Sequence, residues 1–173
     1  MRTNTLITSD LHLGHEKAAI HRGFTTIEEH DEFIIQEYNK QVRPIDTCWI
    51  VGDVVFQPSK NIPMISRLNG IKHLVLGNHE HHNICRYIQY FHKIVAFCVY
   101  KEFVISHIPI HSSQLDERYH AVNLHGHIHS HEIQFMHKDN RYFNVNCELH
   151  DYHPLYFDDI RYMIELKNAS TVC

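Results

Sequence analysis

The chain has 173 residues, a length that fits one domain, and 43% of them are hydrophobic. Its formal charge is −4, from 16 Lys and Arg against 20 Asp and Glu. No apolar run reaches the ~18 residues of a transmembrane helix, the first residues do not resemble a signal peptide, and no basic cluster indicates an extensive nucleic-acid surface. We therefore expect a single cytoplasmic domain over residues 1–173.

Short apolar runs bounded by polar or turn residues predict β-strands along the chain. The clearest of these runs are Asn4–Ser9, Thr47–Gly52, Lys72–Gly77, Glu102–Ser106 and Tyr119–Gly126. The same pattern, less regular, occurs in Lys93–Tyr100, Arg141–Asn146 and Pro154–Phe157. Strand-forming segments thus extend over most of the chain.

Helices are predicted between the strands of the first half. Thr26 and Glu29 have the spacing of a capping box at the start of the amphipathic segment "TTIEEHDEFIIQEYNKQV". Two more helices are predicted over Pro58–Leu68 and Asn83–Phe91, whereas "FDDIRYMIEL" is too short to assign. Strands that alternate with helices early and follow one another later indicate a mixed α/β sandwich rather than a doubly wound sheet.

Side chains that can bind a metal follow five of the predicted strands. In α/β sheets, ligands bind beyond the carboxyl ends of the strands, so we expect these side chains to meet at one rim. They are Asp10, His12, Asp53, Asn78, His79, His107, His127 and His129.

Histidine is the unusual feature of the composition, with 19 residues in the chain. The run "NLHGHIHSH" taken alone also fits a polar strand face or a His-rich tract with loose metal affinity. The whole set of strand-end ligands, however, exceeds the four that one tetrahedral zinc takes. Nitrogen and oxygen ligands without thiolate suit Mn, Fe, Zn or Ni. The five cysteines are scattered without a CxxC pattern and indicate reduced thiols. The set of strand-end ligands therefore predicts two metal ions ~3.5–4 Å apart, as in phosphatases and nucleases.

These residues stand in sequence blocks that resemble those of the calcineurin-like metallophosphoesterase superfamily. The family pattern is D-x-H, G-D, G-N-H, a histidine after a strand, and G-H-x-H. It appears here, in order, as "DLH" (10–12), "GD" (52–53), "GNH" (77–79), "SH" (106–107) and "GHIH" (126–129). The closest likeness is to the small single-domain bacterial and phage members. The resemblance implies the metallophosphoesterase fold, an α/β sandwich of two mixed β-sheets flanked by helices.

The resemblance also implies a role for each position. The first metal would be held by Asp10, His12 and His129, and the second by Asn78, His107 and His127. Asp53 would bridge the two ions, and His79, which is not a ligand, would act on the phosphate and the leaving group. Gly126 would let the backbone pass close to the site. The implied cofactors are two divalent ions, with Mn²⁺ as the first expectation and Fe, Zn or Ni as alternatives.

The implied reaction is hydrolysis of phosphate esters by a metal-bridging hydroxide, with His79 as proton donor. After "GD" the chain reads "VVFQ", not the Asp-Arg of the protein Ser/Thr phosphatases in the superfamily. This disfavours a protein phosphatase, and a small molecule such as a nucleotide phosphodiester is the favoured substrate. The alternatives are a phosphomonoesterase or nucleotide pyrophosphatase, and a catalytically silent scaffold that uses the fold for protein contacts. Association with further copies of the chain is left open.

Other histidines near the blocks are candidates for substrate contacts. His15, in "DLHLGH", and His111, in "HIPIH", are the two proposed substrate-binding residues. For His15, support of a ligand or a place in an exposed loop is the alternative. Four more have no assigned role from sequence: His81, His82, His125 and His131.

Overall fold

The computed structural model describes residues 3–80, 84–115, 122–129 and 139–170. The predicted strands other than Lys93–Tyr100 each have a counterpart in these ranges with different bounds, although residues 119–121 of the predicted strand Tyr119–Gly126 lie outside the described residues. In chain order the strands are β1 (Thr5–Thr8), β2 (Thr47–Val51), β3 (Ile71–Val75), β4 (Lys93–Val95), β5 (Phe97–Tyr100), β6 (Phe103–Ser106), β7 (Val122–His125), β8 (Tyr142–Asn144) and β9 (Leu155–Tyr156).

The strands form two mixed sheets. The first has the order β4-β3-β2-β1-β9, in which only β9 runs antiparallel to its neighbour. The second has the order β5-β6-β7-β8, in which β5 is antiparallel to β6 and the other pairs are parallel. The described part of the chain is therefore an α/β sandwich with two mixed sheets, as the alternation of elements predicted.

Successive residues of each central strand face the two layers of the core. In β1, Leu6 packs in the cluster that contains the helical residues Ile34 and Tyr38. Its neighbour Ile7 packs in the second cluster, which contains Ile105 of the other sheet. All of these side chains are fully buried, and burial of such a side chain contributes ~1.5–3 kcal/mol. Because successive side chains of a strand point to opposite faces, both faces of the first sheet are buried. Its carboxyl edge remains open for a site.

Within the described ranges, four α-helices flank the sheets. They are α1 (Glu16–His21), α2 (Ile27–Gln41), α3 (Pro58–Asn61) and α4 (Phe157–Ser170). The predicted start of α2 is confirmed, because Oγ1 of Thr26 accepts a 3.1 Å hydrogen bond from the backbone N–H of Glu29. The predicted Pro58–Leu68 helix is α3 followed by a 3₁₀ helix over Ile62–Arg67, since Pro63 has no N–H with which to continue an α-helix.

Two predictions from the apolar pattern are wrong. The described part of Asn83–Phe91 holds a 3₁₀ turn at Ile84–Arg86 and further turns rather than a helix. Tyr87 and Phe91 are buried and anchor this connection to the core. Lys93–Tyr100 is also not one strand, because the chain bends between β4 and β5 and places them in different sheets.

Two further features bear on the composition-based expectations. Among the described helices, none has the length and apolar content to cross a bilayer. The cysteines that the structure describes, namely Cys48, Cys85, Cys98 and Cys147, are free thiols, as the scattered spacing predicted.

Candidate metal centre

The carboxyl ends of parallel strands from both sheets meet at one rim. Hydrogen bonds continue past the ends of β1 and β2, with the backbone N–H of Asp10 donating to Gly52 O (3.2 Å) and that of His12 to Asp53 O (2.9 Å). From the second sheet, Gly126, which follows β7, donates to the carbonyl of His107, which follows β6 (3.0 Å). The turns after these strands are thus fixed to one another.

The predicted metal-binding side chains come together at this rim. Their ligand atoms form three overlapping groups, and within each group all atoms lie within 4.8 Å of one another. The groups are Asp10–His12–His129, His12–Asp53–His79 and Asp53–His107–His127. Asn78 joins the third group through its Oδ1 atom, which lies 2.9 Å from Nε2 of His107. The eight positions named from sequence therefore form one cluster.

Asp53 occupies the centre of the cluster. Its Oδ2 atom lies 3.8 Å from Nε2 of His12, 3.7 Å from Nε2 of His79 and 3.5 Å from Nε2 of His107. Its Oδ1 atom accepts a 3.0 Å hydrogen bond from the backbone N–H of His79. With a side chain only 3% exposed, Asp53 is the one carboxylate that two of the groups share.

The backbone at these positions is strained. The φ angles of Asp10, His12, Asp53, His127 and His129 are 56°, 51°, 51°, 70° and 49°. Non-glycine residues rarely adopt this left-handed region, and such conformations cost ~1–3 kcal/mol each. Strain of this kind is typical of functional sites, and here it falls on five members of the cluster.

Two glycines leave space for the central carboxylates. A Cβ atom on Gly126 would lie 2.2 Å from Oδ2 of Asp10, and one on Gly77 would lie 2.4 Å from Oδ1 of Asp53. Neither distance is compatible with a side chain. The structure thus agrees with the expectation that Gly126 permits a close approach of the backbone.

Hydrogen bonds outside the cluster fix the direction of its imidazoles. Nδ1 of His107 donates to the carbonyl of Val51 at 2.8 Å, and Nδ1 of His129 donates to Oε1 of Glu148 at 2.8 Å. In both rings the Nε2 atom then points into the cluster, where that of His129 lies 3.3 Å from Nε2 of His12. Partners of this kind are typical of metal-ligating histidines, since they set the tautomer and the ring orientation.

Arg22 and Glu148 are two residues of the site that sequence reasoning missed. The Arg22 side chain is 1% exposed and donates a 2.7 Å hydrogen bond from Nε to Oε1 of Glu148, and its Nη2 atom lies 2.7 Å from the same oxygen in an ion pair. It also donates to the carbonyls of Asp10 (2.7 Å) and Leu11 (3.0 Å). One buried guanidinium therefore holds both the turn after β1 and the carboxylate that orients His129. No spacing or motif links Arg22 to Glu148, since they are 126 residues apart.

Glu80 is a further member that sequence reasoning left without a role. It is fully buried and accepts backbone hydrogen bonds from Asp53 (2.9 Å), Val54 (2.9 Å) and Gly77 (2.8 Å). These bonds join the turn after β2 to the turn after β3. The only sequence signal was its place directly after the "GNH" block.

The electrostatics of the cluster follow from buried carboxylates facing imidazoles. Burial raises the pKa of Asp10, an effect that the charge of His107 partly opposes. Burial also lowers the pKa of His12 to about 2. For His107, burial acts to lower the pKa, but the interaction with Asp53 and the charge of Asp10 outweigh it and raise the pKa to about 9. Buried carboxylates that depend on neighbouring cations for compensation are positions that a divalent metal fits.

The two candidate substrate residues lie on different sides of this rim. His15 is the N-cap of α1, and its ring centroid lies 5.5 Å from that of His12 and 4.1 Å from that of Phe56. His111 is exposed, lies outside the groups above, and lines a cavity together with His127. Both therefore border the cluster, one beside the first group and the other beside the third.

Of the four histidines without an assigned role from sequence, one is buried and three lie outside the described residues. His125 is 2% exposed, and its Nδ1 atom donates to the carbonyl of Gly126 at 3.0 Å. Burial lowers its pKa to about 4. It therefore packs as a neutral side chain beneath the cluster. His81, His82 and His131 lie outside the described residues.

Comparison with known proteins gives distant relatives without an established activity. No protein-family model matches the chain. Uncharacterized protein MJ1445 of Methanocaldococcus jannaschii is 27% identical over 167 residues, which cover 92% of this chain and 90% of that protein. The Gene 66 proteins of Mycobacterium phages L5 and D29 are 37% and 33% identical over 83 and 82 residues, 45% of this chain in each case. These matches span 40% and 41% of the two phage proteins, well under their full length.

Among solved structures, the chain is similar to the protein of unknown function AQ665 from Aquifex aeolicus. The TM-score is 0.74 at 24% sequence identity, and the match covers 94% of this chain and all of that one. The similarity shows that the two proteins share an α/β fold.

Proposed function

We propose that this protein is a metal-dependent phosphoesterase of the calcineurin-like type that hydrolyses small phosphodiesters in the cytoplasm. The observation that carries the proposal is the central position of Asp53, whose Oδ2 atom lies within 3.8 Å of imidazole Nε2 atoms on either side. A carboxylate shared in this way, with only nitrogen and oxygen donors around it, suits two ions of Mn, Fe, Zn or Ni.

Each half of the cluster would hold one ion. The ligands are Asp10, His12 and His129 for the first and Asn78, His107 and His127 for the second, with Asp53 common to both. When bound, two divalent ions neutralise charge on the phosphoryl oxygens and make a coordinated water more acidic. Manganese is the first choice, because hard oxygen donors stand beside the imidazoles.

His79 is the proposed proton donor to the leaving oxygen. Its side chain is 30% exposed, so a substrate at the rim can reach it, whereas the Asp53 side chain beside it is 3% exposed. The backbone N–H of His79 is held by Oδ1 of Asp53 at 3.0 Å, which keeps the ring next to the cluster. A protonated imidazole at this position would give its proton to the departing alkoxide.

The preference for diesters rests on the four residues after Asp53. The chain reads "VVFQ" at positions 54–57 and has no arginine there, whereas the protein Ser/Thr phosphatases of the superfamily carry Asp-Arg in this segment. The proposed site therefore lacks that arginine as a partner for the additional charged oxygen of a monoester. A diester carries less charge and needs only the cluster and one proton donor.

The direct test is hydrolysis of bis(p-nitrophenyl) phosphate beside p-nitrophenyl phosphate, with metal-stripped protein resupplied with Mn²⁺. Diester turnover should require the metal and fall ~10²–10⁴-fold in His79→Ala, since general acid catalysis is worth that much. His21→Ala, which changes an exposed histidine at the end of α1, is the matched control. Faster monoester turnover would reverse the substrate class. No metal-dependent turnover in protein that binds two ions would favour the scaffold alternative.

A further inference from the structure

An apolar cavity adjoins the cluster on the side of His127. It has a volume of about 620 Å³ and is lined by residues 108–112 together with His127 and Ile128. Ligand pockets for small molecules usually measure ~300–1,000 Å³. Ile108 is 55% exposed at its wall, although Ile105 on the preceding strand is fully buried. Exposed aliphatic side chains beside a polar cluster indicate a binding surface rather than part of the core.

The cavity and the proposed proton donor belong to different parts of the cluster. His127 belongs to the group Asp53–His107–His127, and His79 belongs to the group His12–Asp53–His79, so the two groups share Asp53 alone. The His79 ring lies among other rings, 5.3 Å from His12 and 5.9 Å from Phe56 between centroids. In the proposed reaction, a leaving group protonated by His79 would depart along the side of His12 and Phe56. The other ester group of a diester would then remain on the side of His127.

The cavity also has one polar edge. Nδ1 of His111 accepts a 3.2 Å hydrogen bond from the backbone N–H of Ser113 and lies 2.9 Å from Oγ of Ser113, so that Nε2 carries the proton when the ring is neutral. His111 and Ser112 are the polar residues at this edge, and His127 stands on the side of the cluster, whereas the other lining residues, Ile108, Pro109, Ile110 and Ile128, are apolar. Such a surface fits a flat ring that has a hydrogen-bond acceptor on its edge.

We infer that this cavity binds the ester group that stays on phosphorus, and that this group carries an aromatic ring, such as a phenyl ring or a nucleobase. The inference rests on the proposed function and gives it a second reason for diester preference, because a monoester has no group to place in the cavity. Ile108 and Ile128 form the apolar walls for the ring, and His111 meets its polar edge.

The first test is binding of two non-hydrolysable monophosphonates to the Mn²⁺-loaded protein by calorimetry. Phenylphosphonate should bind at least ~10-fold more tightly than methylphosphonate, since contacts in an apolar pocket are worth about 10–200-fold. Ile108→Ala and, independently, Ile128→Ala should bring this ratio close to one. Ile71→Ala is the matched control, because Ile71 is 45% exposed at the start of β3, the opposite end of that strand from the cluster. A wild-type ratio near one, or a ratio unchanged in both variants, would overturn the inference.

The second test uses two diesters with the same leaving group, phenyl p-nitrophenyl phosphate and methyl p-nitrophenyl phosphate. The ratio of their kcat/KM values should favour the phenyl ester in wild type and fall about tenfold in Ile108→Ala. Metal-dependent turnover of both esters without such a ratio would overturn the inference and leave the proposed function standing. If neither ester is hydrolysed, the proposed function is overturned. The assignment of the ring to a retained ester group is then overturned as well, even if phenylphosphonate binds more tightly than methylphosphonate.

Discussion

Nδ1 of His129 donates a 2.8 Å hydrogen bond to Oε1 of Glu148, which leaves Nε2 of His129 facing Nε2 of His12 at 3.3 Å. Burial acts to raise the pKa of Glu148, but the bond to His129 and the charge of Arg22 outweigh it and lower the pKa to about 2. The carboxylate is therefore ionised and orients the imidazole. This is the carboxylate–histidine arrangement that supports metal ligands in other proteins.

Removal of this support should weaken metal binding. We expect Glu148→Gln to reduce the Mn²⁺ affinity of the first ion, to which His129 is assigned, ~10-fold and Glu148→Ala ~100-fold, the range found for partners of ligating histidines. Glutamine retains one acceptor for His129 but loses the charge. Isothermal titration gives the affinities, and Glu165→Gln, an exposed change on α4, is the control. Equal affinities in wild type and Glu148→Ala would show that Glu148 does not position a ligand.

The buried pair of Arg22 and Glu148 should also matter for folding. Loss of one partner of a buried ion pair costs ~3–5 kcal/mol, because the other charge stays uncompensated, and we expect this loss of unfolding free energy in Arg22→Met. The double variant Arg22→Met/Glu148→Gln should lose less than the sum of the single changes. Arg161→Met breaks an exposed 2.6 Å pair with Glu102 and should cost ~0–1 kcal/mol. Urea unfolding gives the free energy of unfolding of each variant. A loss in the double variant equal to the sum of the two single losses would contradict a direct coupling between Arg22 and Glu148.

A methyl group at Gly126 should displace Asp10. Gly126→Ala places the new Cβ 2.2 Å from Oδ2 of Asp10, and the carboxylate has to leave the cluster to relieve this contact. We expect ~10-fold or greater loss of affinity for the first ion, as for loss of a ligand's support. Gly23→Ala is the control: φ is +81° there, but nothing lies within 4 Å of the new atom, so it should cost ~1–2 kcal/mol of stability with unchanged metal affinity. Full metal affinity in Gly126→Ala would contradict the steric explanation.

Asp46 makes stability depend on pH at the opposite end of the sheet. Its carboxylate accepts bonds from the side chain of Arg43 (2.7 and 2.8 Å) and from the backbone N–H of Asn4 (2.8 Å). The Arg43 bond is the main cause that lowers its pKa from 3.8 to about 2. Because the folded-state pKa lies below the unfolded one, this stabilisation is present above pH ~4 and is lost as the pH falls towards 2.

At neutral pH, Asp46→Asn should lose ~1–3 kcal/mol of unfolding free energy, since the side chain of Arg43 and the backbone N–H of Asn4 lose a buried, charged acceptor. The difference from wild type should shrink as the pH falls from about 4 to 2. Urea unfolding at a series of pH values gives this difference, and Asp159→Asn, an exposed change on α4, provides the control. A difference that is constant across this range would mean that the ionised carboxylate is not the stabilising species.

The cluster was predictable from sequence because each of its signals is local. A short buried strand followed by a polar residue can be recognised without knowing its neighbours, and parallel pairing then brings such residues to one rim. Asp53 after β2 and His107 after β6 are examples, and the structure places their Oδ2 and Nε2 atoms 3.5 Å apart. The helix α1 was missed because it has six residues and its N-cap is His15 rather than Ser, Thr, Asp or Asn.

Features that depend on distant residues were not predictable. The pairing of Arg22 with Glu148 joins positions that share no motif, and only the folded chain makes them neighbours. The run Lys93–Tyr100 is largely apolar, so its periodicity does not reveal that the chain leaves one sheet at Val95 and enters the other at Phe97. The apolar pattern of a segment indicates that the segment is buried. The sheet that the segment joins depends on its pairing partners elsewhere in the chain.

The most direct test of the two-metal centre is a crystal structure grown with Mn²⁺ and measured at a wavelength where manganese scatters anomalously. Two anomalous peaks ~3.5–4 Å apart should appear, with the Asp53 carboxylate between them. One peak should lie against Asp10, His12 and His129, and the other against Asn78, His107 and His127. A single peak, or no peak at the cluster in protein saturated with Mn²⁺, would contradict the dinuclear centre and the hydrolysis proposed from it.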